Sequence, residues 1–295
     1  MNRTVFSFVF CVSRGRFADA CRKAFGGRHL PFCLLLIAYC VLPTADCNGQ
    51  SWKIFKKNDS LNCRYFATDP LNNIYVVTPK NDLLKYDQQG FFESQYANRR
   101  LGRLAVVDGT SPFKVVLWYP DFQTILLMDA AVNPIVTLNL NDIGVGRAAA
   151  VAFGDDGNLW IFDGTTNKLL RFAVEAPSVR LVESSLLSVN GLQPSGMTVR
   201  GNVVYMNVPT RGILTFDRFG KLLRTLDIRN AETFQVIDNQ LFFKQNNQLN
   251  RFHLQTLTTT VVKLPDGVKG EQQMRLERNR LFVQRGGSID IYEEK

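Results

Sequence analysis

Six tandem units of short strands predict an all-β chain: a six-bladed β-propeller of four-stranded antiparallel blades. Three observations predict it. One pattern recurs at intervals of about forty residues, the spacing of a propeller blade rather than of a helical repeat. Within each unit apolar and polar residues alternate with period two, and turns rich in Asp, Asn and Gly separate the bursts. The last unit lacks a fourth strand, while the strand-like SWKIFKK (51–57) ahead of the first unit has no partner of its own.

In chain order, the first unit has three strands in FATDPLNNIYVVTPKNDLLKYD (66–87) and a fourth in FFESQY (91–96). The second runs through 105–129 and closes with PIVTLNL (134–140); the third occupies 151–172 and closes with SVRLVES (178–184). The fourth and fifth span 197–217 and 234–253, closed by LLRTLDI (222–228) and TTTVVKL (258–264). The sixth, 274–293, ends with the chain, so the segment at about 51–57 is expected to pair with it and close the ring. That pairing removes two sheet edges that would otherwise be open to aggregation. Tyr75, Trp118, Trp160, Tyr205, Phe242 and Phe282 recur in or near the second strand of each unit. Residues that recur with the period of the fold are expected to fill the wedges between blades, not to form a ligand box.

Residues 1–47 read as an N-terminal extension and secretion signal, and residues 48–295 as one propeller domain. The formal charge is +9, but residues 1–47 carry six Lys/Arg against two acids. The remaining basic residues are scattered singly, which argues against nucleic acid as a partner. An apolar segment at about 30–43 follows a basic stretch and is too short to span a bilayer comfortably, so export to the periplasm, envelope or exterior is expected. Cleavage after Ala45 or just before Cys47 would fit; Cys47 is the candidate for lipidation, although Asp46 occupies a position where lipoprotein signals carry a small residue. Membrane contact is expected only through an uncleaved or lipidated N-terminus. Five of the six cysteines precede the repeats, so no disulfide framework is expected, and Cys63 reads as a small, half-buried hydrophobe near the start of a strand.

The phrases NNIYVV (72–77), GNLWIF (157–162) and GNVVYM (201–206) resemble the turn-and-strand phrase of NHL-type and TolB-like six-bladed propellers. The resemblance spans about 50–295. It implies the fold and leaves the function open, because propellers serve as binding proteins and as enzymes.

The residues give little support to catalysis. Lactonase-like propellers, which this chain resembles in blade number, hold a metal through acids and amides of the inner strands. Here Arg64, Arg103 and Arg147 stand near the start of the first three inner strands, and Glu232 and Glu271 are too few carboxylates for a hard oxygen cage. No metal or other cofactor is expected. His29 lies in the extension and His253 in a third strand, which leaves no constellation for a Ser-His-acid triad. FGDDGN (153–158) reads as a tight hairpin turn, not a calcium loop.

At the channel mouth the candidate binding residues are Arg64, Arg103, Arg147, Ser195, Glu232 and Gln272, joined by Arg211 and Arg285 and by Lys80, Tyr119, Asp121 and Thr165 from loops on the same face. Two readings of the arginines stand side by side: they bind an anionic or carboxylate-bearing partner, or they tie neighbouring blade loops through backbone carbonyls. The leading functional expectation is a monomeric, exported, non-catalytic module that binds a protein, peptide or glycan. The alternative is a hydrolase or lyase, lactonase-like, with a channel site.

Overall fold

The computed structural model describes residues 51–59, 61–174, 176–186 and 191–295. The apolar segment 30–43, the cleavage region and Cys47 lie outside the described residues. Strand β1 (Trp52–Asn58) comes first. The first blade is β2 (Tyr65–Thr68), β3 (Ile74–Val77), β4 (Leu83–Tyr86) and β5 (Phe92–Tyr96); the second is β6 (Val106–Ser111), β7 (Lys114–Tyr119), β8 (Thr124–Asp129) and β9 (Pro134–Asn139). The third is β10 (Ala148–Phe153), β11 (Asn158–Asp163), β12 (Lys168–Ala173) and β13 (Ala176–Ser185). The fourth is β14 (Gly196–Arg200), β15 (Val203–Val208), β16 (Gly212–Phe216) and β17 (Leu222–Leu226). The fifth is β18 (Thr233–Ile237), β19 (Gln240–Gln245), β20 (Gln248–His253) and β21 (Thr258–Val261), and the sixth begins with β22 (Met274–Glu277), β23 (Arg280–Arg285) and β24 (Ser288–Glu294). Its fourth strand is β1, antiparallel to β24 from Trp52 opposite Glu294 to Asn58 opposite Ile289, with a bulge between Ile54 and Lys56.

The β-branched and aromatic runs IYVV, KVVLWY, NLWIFD and VVYMNV form the second strands because such side chains suit a pleated surface covered on both faces. Their alternation then sends successive residues into different cores. Ile74 and Val76 pack toward the sixth blade, while Tyr75 and Val77 pack toward the second. Six apolar clusters result among the described residues, one at each blade junction. Each receives one of the six periodic aromatics, all less than a tenth exposed, and each aromatic faces the following blade. Burying a large apolar side chain contributes roughly 1.5–3 kcal/mol, so the cohesion of the ring lies in these wedges. Cys63 belongs to the wedge between the sixth and first blades, where burial pushes its thiol up to about 12.

Four turns share one chemistry. Asp69, Asp87, Asp129 and Asp217 each accept the backbone N–H groups two and four residues on, at 2.8–3.0 Å. The residue three positions on takes the left-handed conformation: Asn72, Gly90, Val132 and Gly220. Val132 is the costly member, because a β-branched residue disfavours that region, and it is held there by near-complete burial against the first-blade core. In FGDDGN, Asp156 accepts from Asn158 N–H with Gly157 left-handed, which is the turn role expected of it.

Candidate functional site

The inner strands β2, β6, β10, β14, β18 and β22 each pair on one side only, so their other edges face the channel with unpaired backbone groups. Side chains answer them. Gln273 brackets Phe66, accepting from its N–H at 3.4 Å and donating to its carbonyl at 2.9 Å. Gln235 does the same to Leu276 of the next blade. Arg200 Nε donates to Val236 O at 2.9 Å, and Asp108 accepts from Phe153 N–H at 2.8 Å. The polar residues of the inner strands are therefore first of all stitches between blades. A signal for them exists in the sequence, since Asp108, Arg200, Gln235 and Arg275 are large polar residues inside first strands whose core-facing positions are apolar.

The inner strands begin at one end of the channel, the mouth. Arg64 is half-buried there; its guanidinium donates to Leu104 O at 2.7 Å and stacks 5.3 Å from the Tyr65 ring. It acts as a blade tie. Arg103 and Arg147 are exposed, and their guanidinium groups make no hydrogen bond or ion pair with the described residues. Both line one groove of about 870 Å³ with Trp118, Pro120, Asp121, Gln123, Thr165 and Leu192. Of the three arginines, Arg64 alone spends its guanidinium on a neighbouring blade.

The groove wall is held by side-chain acceptors. Asp163, 1% exposed, accepts from the backbone N–H of Arg147 at 3.2 Å, of Gly146 at 3.4 Å and of Thr165 at 2.9 Å, and from the Thr166 hydroxyl at 2.8 Å. Burial works to raise the Asp163 carboxyl, but these donors outweigh it and hold it below the ordinary carboxylate range. Asp121 Oδ2 accepts from Arg103 N–H at 2.7 Å, and Gln123 Oε1 accepts from Ala148 N–H at 2.7 Å. Trp118 forms part of the floor, and its indole N–H is buried with no partner among the described residues. Two unpaired cations over an aromatic and proline-containing floor can take a carboxylate on an otherwise apolar or sugar-like body.

The other expected residues lie apart from this groove. Ser195 is exposed at the mouth, where its hydroxyl accepts from Asn207 at 2.8 Å. Glu232 pairs with Lys244 at 3.0 Å. Both line the channel cavity itself. Gln272 caps the loop before β22 by accepting from Lys269 N–H at 2.9 Å, and its neighbour Gln273 is the one on the channel. Arg211 sits on the β15–β16 turn with its N–H donating to Val208 O at 2.8 Å. Arg285 pairs with Asp290 at 3.0 Å and donates to the Tyr292 hydroxyl at 2.9 Å. Tyr119 is fully buried between the first and second blades and so is no part of the rim. His253, on β20, accepts from Thr256 N–H at 3.2 Å. Among the described residues no group of three or more His, Cys, Asp or Glu side chains could hold a metal ion, and no helix is long and apolar enough to cross a membrane.

Among solved structures, a streptogramin B lyase is 15% identical, with 78% of each chain covered and a TM-score of 0.54. A catalytically inactive variant of virginiamycin B lyase from Staphylococcus aureus with quinupristin is 13% identical, covering 80% of this chain and 82% of that one at a TM-score of 0.54. The Pan2 WD40 domain of Neurospora crassa is 10% identical, covering 83% and 96% at 0.53. The likeness shows a β-propeller. At these identities it extends to the fold alone, and no family model or curated protein matches the chain.

Proposed function

We propose that this propeller is a binding module that takes a carboxylate-bearing protein, peptide or glycan segment in the mouth groove between the second and third blades. The observation that carries the reading is the contrast between Arg64, spent on Leu104 O, and Arg103 with Arg147, whose guanidinium groups find no partner among the described residues. The channel carboxylates favour binding over catalysis, since Asp108 and Glu277 are each committed to protein donors. The basic stretch and the apolar segment 30–43 support export, which places the partner in the envelope or outside the cell. The phrases NNIYVV, GNLWIF and GNVVYM support an NHL-type or TolB-like grouping.

The test uses the full chain and an Arg103→Gln, Arg147→Gln double variant on arrays of peptides and glycans with and without carboxylates. Retention on carboxylate-bearing spots, lost by a double variant that melts at the parent temperature, is the expected result. A parent silent on every acidic spot, or a variant that binds as well as the parent, would overturn the reading.

A further inference from the structure

The channel holds a second, chemically separate arrangement. Alternation along β22 and the residue before it sends Met274 and Leu276 into the core between the fifth and sixth blades and leaves Gln273 and Arg275 on the channel. Gln273 is committed to Phe66. Arg275 is not committed: its guanidinium makes no hydrogen bond or ion pair with the described residues, and its Nε is buried without a partner. The other channel cation, Arg200, is already held by Val236 O, by Thr110 O at 3.4 Å and by Asp155 at 3.5 Å.

The neighbouring acids do not take up this demand. Asp108 accepts from Thr110 N–H at 2.9 Å and Phe153 N–H at 2.8 Å, while Glu277 accepts from the Thr68 hydroxyl at 2.7 Å. Both act on Arg275 electrostatically, yet neither forms an ion pair with it. Burial pushes the Glu277 carboxyl upward, which weakens its hold on the cation. Around Arg275 is a cavity of about 290 Å³ that runs from Ser195 and Glu232 at the mouth to Thr110 and Arg200 at the far end. The hydroxyls of Thr198 and Thr233 on its wall form no hydrogen bond with the described residues.

We infer that Arg275 anchors a carboxylate-binding site inside the channel, distinct from the mouth groove. A guanidinium offers a planar fork of donors that matches a carboxylate with two parallel hydrogen bonds, and the two threonine hydroxyls supply further polar contacts. The size of the cavity suits a small dicarboxylate or the terminal carboxylate of a peptide reaching in from the mouth.

The experiment measures succinate binding to the full chain by equilibrium dialysis at fixed ionic strength. Arg275→Gln is expected to weaken binding by about tenfold or more, as is Thr198→Phe, which fills the cavity and leaves the arginine in place. The Arg103→Gln, Arg147→Gln variant is expected to bind succinate within about twofold of the parent, which separates this site from the mouth groove. A tripeptide with a free carboxyl terminus, run beside its amide, distinguishes the sources. Displacement of succinate by the acid alone assigns the site to a chain terminus, and displacement by neither assigns it to a small carboxylate. No bound succinate, or equal binding by the parent and by both channel variants, would overturn the proposal. If Arg275→Gln fails to fold, Thr198→Phe carries the test.

Discussion

The side-chain amide of Gln235 lies against the backbone of Leu276 in the next blade, accepting from its N–H and donating to its carbonyl, both at 3.0 Å. A single side chain thereby reproduces the exchange that two paired strand residues make. Adjacent inner strands diverge too far to form a ladder, so a side chain must span the gap. Replacing Gln235 with Met keeps the volume and removes both partners, leaving a backbone donor and acceptor unmatched in the channel wall. Urea unfolding should show a loss of about 1–3 kcal/mol with an unchanged slope. A loss within the error of the fit would mean that water replaces the amide at no cost.

The pairing of β1 with β24 joins the two ends of the described chain. Deleting Gln50–Asn58 exposes the full length of β24 as an edge and uncovers Tyr292 of the last wedge. Melting is expected to fall by roughly 10 °C, with aggregation on heating. A melt that matches the parent would show that β1 contributes nothing to the closure.

Asp163 holds two sides of the mouth groove through four donors. Asp163→Ala strands these donors and should cost about 2–4 kcal/mol, and weaken binding in the groove by releasing Arg147 and Thr165. The carboxyl titrates below its unfolded value, so its stabilisation is present above about pH 4 and is lost as pH falls through the lower folded value. Asp163→Asn should therefore flatten the acid limb of a stability–pH curve. An unaltered limb would assign it to other carboxylates.

Glu277 has the opposite sign. Burial raises its carboxyl above the unfolded value despite the nearby Arg275 and the Thr68 hydroxyl, so in the window above the unfolded value the folded state binds more protons and stability falls as pH rises. Glu277→Gln keeps the acceptor for Thr68 and removes the charge. It should raise the melting temperature at neutral pH and abolish the fall. A variant less stable than the parent at pH 7 would show that the ionised carboxylate supports Arg275 more than burial penalises it.

The blades were legible in the sequence because their determinants are local. Asp69, Asp87, Asp129 and Asp217 close turns with donors four residues away at most, and Tyr75 or Trp160 needs only the alternation of its own strand to reach a wedge. The site was legible only in part. Arg64, Arg103 and Arg147 occupy equivalent places in the repeat, yet Arg64 meets the carbonyl of Leu104 while the other two face an open groove. Gln272 and Gln273 are adjacent and differ completely in role, since Gln272 still belongs to the turn that it caps while Gln273 enters the extended run at the channel.

By itself the sequence determined the number of blades, the aromatic wedges and the strand that completes the last sheet, because period-two alternation and turn chemistry act within a few residues. Only the tertiary structure decided which polar side chains are stitches and which are unpaired donors. That distinction depends on a partner such as Leu104 for Arg64 or Leu276 for Gln235, about forty residues away in sequence and a few ångströms away in space. A hydrogen bond requires donor and acceptor of different blades to meet to within a few tenths of an ångström, and no local pattern encodes that placement.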